Sequence, residues 1–133
     1  MEAGSKAELL IALALIKDQQ ALLICNGYKD RRYIETAILA RRLGHQPLVV
    51  IEQADEIQRI IEASKELGAS PFSGIRAKLS SRSTGRWGSS VGSRAKFGLD
   101  LSEMLHTVQA LGEAGLLQDL RLLHFHIGSQ IND

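Results

Sequence analysis

The sequence has 133 residues, which fits one domain that can bury a moderate core. Its net charge of +1 argues against nucleic acid and against an anionic membrane as partners, and no apolar run is long enough to cross a bilayer. A lone cysteine, Cys25, excludes an internal disulfide, and the first ten residues lack the basic and then apolar pattern of a signal peptide, so we expect a cytoplasmic protein.

Helices and strands are predicted to alternate along the chain. Apolar residues at helical spacing predict the helices, and short continuous apolar runs predict buried strands. In chain order the predicted elements are a helix over 5–16, a strand over 21–25, a helix over 30–43, a strand over 47–51, a helix over 54–67, a strand over 74–79, a long polar stretch over 80–98, a helix over 100–115 and a strand over 120–127. This order predicts an α/β fold in which right-handed crossovers connect the strands of a parallel sheet.

The first two helices have predicted core-facing stripes. Ser5 is the expected N-cap of the first helix, and Glu8 should complete a capping box with it. The predicted stripe of that helix consists of Leu9, Ile11, Leu13 and Ile16. The predicted stripe of the second helix consists of Ile34, Ile38 and Leu39.

Three polar segments follow predicted strands directly. They are "CNGYKD" (25–30), the long stretch 80–98 and "HIGSQ" (126–130). In parallel α/β sheets, functional groups lie in the loops that follow the C-terminal ends of the strands. We therefore expect these three segments to meet on one side of the sheet.

His124 and His126 are two residues apart on the last predicted strand, so both should face the same side. A metal site is the least favoured role, because it needs a third ligand and few candidates are near. Histidines satisfied by hydrogen bonds inside a core are more common. The end of a strand best fits a third role, in which an imidazole stacks on a flat aromatic cofactor while Gly128 and Ser129 approach its phosphate.

The stretch 80–98 contains four glycines, six serines and three arginines. This composition could hold a phosphate through backbone amides, although no P-loop motif is present. We favour an active-site lid, with a disordered surface loop as the second alternative. Binding of single-stranded nucleic acid through Trp87 and the arginines is a distant third, because the net charge is nearly neutral.

Arg76 and Lys78 alternate with apolar residues on one predicted strand, so the two cations should share a face. A guanidinium within a sheet requires an anion or several acceptors. The anion is either a ligand or a carboxylate such as Glu2 or Glu52. Cys25 ends a buried strand and is interpreted as a packed small side chain rather than a nucleophile.

Three segments resemble the biosynthetic arginine decarboxylases of bacteria and plants: "LLICNGYKDRRYIETAILARRLGH" (22–45), "AKFGLD" (95–100) and "LLHFHIGSQ" (122–130). The resemblance extends over essentially the whole chain. "KFG" and "FH-x-GS" are shared with ornithine and diaminopimelate decarboxylases, whereas "CNGYKDR" together with "HFHIGSQ" is typical of the arginine enzymes. The resemblance implies a TIM (β/α)8 barrel that binds pyridoxal phosphate, joined to a β-domain.

Four residues match cofactor contacts of these enzymes. His126 matches the histidine that stacks on the pyridine ring, and Ser129 matches the serine that contacts the cofactor phosphate. Arg76 matches the arginine beneath the cofactor, and Glu2 lies where relatives have an acidic residue near it. The resemblance assigns no residue of this chain as catalytic and none as a metal ligand.

The lysine to which relatives attach the cofactor lies in a motif like "YPIKVN", which this sequence lacks. A full barrel takes about 250 residues. Residues 1–133 are therefore expected to form a single incomplete barrel domain, the end of one strand followed by four helix–strand units. We expect an internal fragment of a longer enzyme that is inactive alone and whose unpaired strand edges favour self-association.

For the parent enzyme the resemblance implies decarboxylation of L-arginine to agmatine, which feeds polyamine synthesis. It also implies pyridoxal phosphate and Mg²⁺ as cofactors, and a dimer or tetramer as the assembly. Two alternatives remain open. One is a fragment of an ornithine or diaminopimelate decarboxylase, and the other is a non-catalytic flavodoxin-like module that binds a phosphorylated ligand.

Overall fold

The computed structural model describes residues 1–79 and 97–126. The strands are β1 (Glu2–Ala3), β2 (Leu22–Cys25), β3 (Gln46–Ile51), β4 (Phe72–Ala77) and β5 (Leu120–Phe125); the helices are α1 (Lys6–Leu15), α2 (Arg31–Arg42), α3 (Glu56–Leu67) and α4 (Leu101–Glu113), and a short 3-10 helix (Leu117–Asp119) precedes β5. Every predicted helix and strand is confirmed, with ends that differ by at most two residues. None of the helices in these two ranges is long and apolar enough to cross a membrane.

The five strands form one parallel sheet in the order β1-β2-β3-β4-β5. Sequential right-handed crossovers place all the connecting helices on the same face of such a sheet. A flavodoxin-like sheet instead reverses its strand order and has helices on both faces, so the flavodoxin-like alternative is wrong. The α/β architecture is that of a barrel wall, about half of a (β/α)8 barrel.

The main core lies between the helices and the face of the sheet that they cover. The strands contribute Ala3, Leu23, Cys25, Val49, Ile51 and Ile75. The helices contribute Leu9, Ala12, Tyr33, Ile34, Ala37, Ile38, Ile57, Ile60, Ala63 and Leu111. Alternate residues of β2 and β3 belong to this set, so the intervening residues face the opposite side, which we call the inner face.

The inner face has a smaller apolar cluster near its middle. It consists of Leu48, Val50 and Phe72, with Ile24 and Leu122 partly buried against them. Gly74 lies in the same face, where an added Cβ would be 2.9 Å from the Cβ of Leu122 and 3.0 Å from a methyl carbon of Leu48. The absence of a side chain at Gly74 therefore allows neighbouring strands to pack closely.

Two helix details differ from the predictions. Ser5 is the N-cap of α1, and its Oγ accepts a hydrogen bond from the Glu8 N–H at 3.3 Å. The Glu8 carboxylate, however, accepts from the Gly4 N–H at 2.6 Å, so it caps the preceding residue rather than Ser5. Ile11 and Leu39 were expected to face inward but are 59% and 46% exposed, because they lie about 200° and about 100° around the helix axis from the buried Leu9 and Ile38.

Candidate functional site

Polar side chains gather on the inner face at the C-terminal ends of β3, β4 and β5. Glu52 follows β3 directly, while Arg76 and His124 lie near the ends of β4 and β5. Arg76 and His124 are opposite each other in the strand register. Glu52 is aligned beside Arg76 because the preceding residues, Ile51 and Ile75, are paired. The three side chains form one row where the apolar part of the inner face ends.

Arg76 forms an ion pair with Glu52. The Nη1 of Arg76 donates to the Oε1 of Glu52 at 2.6 Å, and the two side chains are only 16% and 1% exposed. Of the two carboxylates proposed from the sequence, Glu52 is therefore the one that holds the guanidinium. Glu2 instead accepts a hydrogen bond from the side-chain amide of Asn26, just after β2.

A second cation holds Glu52 from its other oxygen. The Nζ of Lys29 lies 3.5 Å from the Oε2 of Glu52 and 3.2 Å from the Oε1 of Glu56, and it donates to the carbonyl of Gly27 at 2.5 Å. The side chains of Lys29 and Glu56 are completely buried. Glu56, Lys29, Glu52 and Arg76 thus alternate in charge, and we call them the buried ion chain. Its formal charges cancel, which limits the penalty of burying them.

Glu56 also fixes the backbone around the buried ion chain. Its Oε2 accepts from the N–H groups of Glu52 at 2.8 Å and Gln53 at 3.3 Å, and its Oε1 accepts from the N–H of Lys29 at 3.3 Å. Burial raises the pKa of Glu56, while the Lys29 ammonium and the backbone N–H groups oppose that rise. Glu56 lies in the first turn of α3, where the helix dipole favours an acidic side chain.

The two histidines differ in environment. His126 follows β5 directly and is exposed. The Nδ1 of His124 is buried and has no hydrogen-bond partner in the part of the chain that the structure describes. Burial, and after it the nearby guanidinium of Arg76, lowers the pKa of His124 and so favours its neutral ring.

Some predicted features lie outside the described residues. These are Gly128, Ser129 and most of the long polar stretch, 80–96. The cofactor contact of Ser129 and the lid role of the stretch therefore stay predictions. Within residues 1–79 and 97–126, no group of three or more His, Cys, Asp and Glu side chains is arranged to hold a metal ion.

Cys25 is a packed core residue, which confirms its interpretation from the sequence. Its side chain is fully buried, and its Sγ lies 3.6 Å from the carbonyl oxygen of Leu23. Burial raises the pKa of the thiol to about 11. A cysteine nucleophile must be ionised, so Cys25 is unsuited to that role.

Sequence reasoning missed Lys29 and Glu56. The available signals were a lysine in the segment that follows a buried strand and a carboxylate in the first turn of a predicted helix. Neither signal shows that the two side chains meet, because they are 27 residues apart in the chain. Only the pairing of β2 with β3 brings their segments together.

Fold and site together define a class of protein, one built on a parallel (β/α) barrel wall with its polar site at the C-terminal strand ends. The family described as "Pyridoxal-dependent decarboxylase, pyridoxal binding domain" matches residues 1–133. The chain belongs to this family.

Curated relatives and solved structures are similar to the chain over nearly all of its length. It is 77% identical over 133 residues to a biosynthetic arginine decarboxylase of Parasynechococcus marenigrum, which is 100% of this chain and 21% of the relative. A crystal structure of a biosynthetic arginine decarboxylase from Campylobacter jejuni is 37% identical, with a TM-score of 0.83, over 98% of this chain and 20% of the other. A diaminopimelate decarboxylase from Helicobacter pylori is 26% identical, with a TM-score of 0.77, over 99% of this chain and 32% of the other. The chain spans about a fifth of the length of the curated relatives it matches.

Proposed function

We propose that the chain forms part of the cofactor-binding face of a decarboxylase that converts L-arginine to agmatine and carbon dioxide with pyridoxal phosphate. The observation that carries this proposal is the row of Glu52, Arg76 and His124 at the strand ends, with the exposed His126 two residues beyond His124. Active sites of (β/α) barrels lie at this end of the strands. The 77% identity to a relative named biosynthetic arginine decarboxylase supports arginine as the substrate.

The residues present suit pyridoxal phosphate, which has a flat aromatic ring and an anionic phosphate. His126 offers an exposed imidazole, and Arg76 offers a guanidinium that is already held in place. The buried Nδ1 of His124 lacks a partner among the described residues, and an orphaned polar atom of this kind is what a polar ligand or an ordered water satisfies.

The proposed roles of the chain's residues are to bind and to orient. When bound, pyridoxal phosphate supplies the electron sink that allows an amino acid to lose carbon dioxide. His126 contacts the face of the ring, and Ser129 donates a hydrogen bond to the phosphate. Arg76 provides positive charge beneath the ring, and Glu2 provides a carboxylate near it. No proton transfer is assigned to this chain.

Cofactor binding is tested with pyridoxine 5′-phosphate, which keeps the ring and the phosphate but lacks the aldehyde that reacts with lysine side chains. Equilibrium dialysis with the 133-residue chain should show saturable binding. His126→Ala should weaken it about tenfold, the scale of one aromatic contact. His106→Ala removes an exposed imidazole from α4 and should have no effect. Lack of saturable binding, or equal losses in the two variants, would contradict the proposal.

Turnover by this chain alone is not expected. The sequence lacks a motif like "YPIKVN", which carries the lysine that attaches the cofactor in the enzymes it resembles. The purified chain with added pyridoxal phosphate should therefore release agmatine from labelled arginine no faster than free pyridoxal phosphate does. A faster release would show that another group of the chain replaces that lysine.

Substrate choice is tested on a full-length decarboxylase of this family that contains these 133 residues, because the chain alone is not expected to turn over. With arginine, ornithine and meso-diaminopimelate offered in parallel, we expect carbon dioxide release to be fastest from arginine. A preference for either of the other amino acids would reassign the chain within its family.

The proposal extends to a Mg²⁺ requirement, a cytoplasmic location, a place in polyamine synthesis and a dimeric or tetrameric assembly. Decarboxylase activity of the full-length enzyme that is lost on chelation and restored by Mg²⁺ would support the metal requirement. Light scattering of the full-length enzyme gives the mass of its assembly. A monomer at all concentrations would contradict a dimer or tetramer.

A further inference from the structure

Only one of the four members of the buried ion chain, Arg76, is among the proposed cofactor contacts. The buried ion chain runs from Lys29 and Glu56, whose side chains are wholly buried, to Arg76, which is 16% exposed on the inner face. Stability alone does not explain three buried charges and a partly buried one, because well-packed apolar replacements of buried ion pairs are often equally stable. Arg76, the exposed end of the buried ion chain, is the point at which it can act on a ligand.

Glu52 is held at both carboxylate oxygens and at its backbone. Its Oε1 accepts from the Nη1 of Arg76 at 2.6 Å, and its Oε2 faces the Nζ of Lys29 at 3.5 Å. Its N–H donates to Glu56 at 2.8 Å, and its carbonyl accepts from the N–H of Gly98 at 2.8 Å. A carboxylate held in this way cannot follow a moving guanidinium, so it determines where the guanidinium lies.

The geometry of the guanidinium extends this constraint to the rest of the Arg76 side chain. A guanidinium is rigid and planar, so fixing one Nη limits the directions of all its other N–H groups. The backbone of Arg76 is fixed as well, because its carbonyl accepts from the N–H of Leu99 at 2.7 Å. Arg76 is therefore oriented before any ligand arrives.

We propose that Glu52 is a positioning residue which, held by Lys29 and Glu56, directs the guanidinium of Arg76 towards the pyridoxal phosphate without contacting the cofactor itself. The inference rests on the proposed function, since it requires the cofactor to bind at the strand ends. Loss of the Glu52 carboxylate should weaken cofactor binding about tenfold, the lower end of the effect of supporting residues on the groups they orient.

Positioning is measured first without any cofactor, by NMR of the arginine side-chain nitrogens. Wild-type protein should show separate Nη signals for Arg76, because the ion pair with Glu52 hinders rotation of the guanidinium. Glu52→Gln keeps the size of the side chain and removes its charge, so these signals should merge. Glu62→Gln removes an exposed carboxylate from α3 and should leave them separate. Unchanged signals in Glu52→Gln would overturn the positioning role directly.

Affinity for pyridoxine 5′-phosphate is measured next by equilibrium dialysis. We expect about tenfold weaker binding for Glu52→Gln and wild-type binding for Glu62→Gln. Arg76→Lys keeps a cation beside Glu52 but loses the planar guanidinium, so it should reproduce the loss even if Glu52→Gln folds poorly. In an Arg76→Gln background, Glu52→Gln should have no further effect, because Glu52 acts through Arg76.

The outcomes separate this inference from the proposed function. Equal binding by Glu52→Gln and wild type, or a loss that persists in the Arg76→Gln background, overturns the positioning role while cofactor binding stands. A wild-type chain that binds no pyridoxine 5′-phosphate overturns the proposed function, and with it the cofactor part of this inference.

Discussion

Replacing Lys29 by methionine should destabilise the folded chain by about 3–5 kcal/mol at pH 7, the usual effect of leaving a buried charge without its partner. The Lys29 side chain is 0% exposed, and those of Glu52 and Glu56 are 1% and 0% exposed. Methionine is a flexible, unbranched side chain that can fill the space of the lysine stem, so the change mainly removes the ammonium. The buried ion chain would then hold two carboxylates and one cation, Arg76.

Two opposing energies lead to this magnitude. At an effective dielectric constant of about 20, the attraction of the Lys29 Nζ to Glu52 at 3.5 Å and to Glu56 at 3.2 Å is about 5 kcal/mol for each contact. Removing the ammonium also removes its own desolvation penalty, which is several kcal/mol for a buried ion. The difference is a loss of a few kcal/mol, a substantial part of the roughly 5–15 kcal/mol that stabilises a typical domain.

The loss should depend on pH because of Glu56. Burial raises the pKa of Glu56 above its ordinary value of 4.5, and Lys29 opposes the rise, so removing Lys29 raises the pKa further. A carboxyl group whose pKa is raised in the folded state contributes stability below its unfolded pKa and loses that contribution as the pH rises through the folded pKa. The variant should therefore fall further below wild type at pH 7 than at pH 4.5.

Urea denaturation followed by circular dichroism at the two pH values measures these changes. Lys65→Met removes an exposed lysine from α3 and should stay within about 0.5 kcal/mol of wild type. Adding Glu56→Gln to Lys29→Met removes the charge that has lost its cation while keeping one oxygen to accept from the backbone N–H groups, and should recover about 1 kcal/mol. A loss at pH 7 below about 1 kcal/mol, or an equal loss at both pH values, would refute the reasoning.

Three further predictions concern packing, thiol reactivity and helix capping. Gly74→Ala should cost about 1–3 kcal/mol of stability, because the new Cβ lies 2.9 Å from the Cβ of Leu122. Gly112→Ala has open space within α4 and should stabilise the fold by about 0.5–1 kcal/mol. Urea denaturation measures both variants, and changes in stability of the same sign would contradict the steric reasoning. Cys25 should react with a disulfide reagent at pH 8 only as fast as the chain unfolds, since its side chain is fully buried and burial also raises the pKa of its thiol to about 11. Rapid labelling of the folded protein would show that the thiol is accessible. Asp100→Ala removes the capping box of α4 and should cost about 1 kcal/mol in thermal or urea denaturation, while an unchanged stability would mean that water replaces the cap.

Local patterns were sufficient to predict most elements of the fold. The run of apolar residues in β3 and the helical spacing in α2 placed those elements within one residue of their observed ends. Fine helix detail was less accessible. A capping box assigns the Glu8 carboxylate to the N–H of Ser5, whereas in the structure it accepts from the N–H of Gly4, one residue earlier.

The candidate site was predictable only in part, for a similar reason. Position near a strand end singled out Arg76 and the histidines, and the need to neutralise a guanidinium reduced its partner to Glu2, Glu52 or a ligand. The choice of Glu52 depends on β3 lying next to β4, which no local pattern contains.

The alternation of helices and strands, the parallel α/β class and the location of polar groups after strands are properties of the sequence alone, because periodicity, capping and turn residues act over a few neighbouring positions. Tertiary structure decided the rest. The order of the strands made the sheet a barrel wall rather than a doubly wound sheet. It also brought Lys29, Glu52 and Glu56 into contact from segments 23 and 27 residues apart, since such contacts arise only when neighbouring strands pair in register.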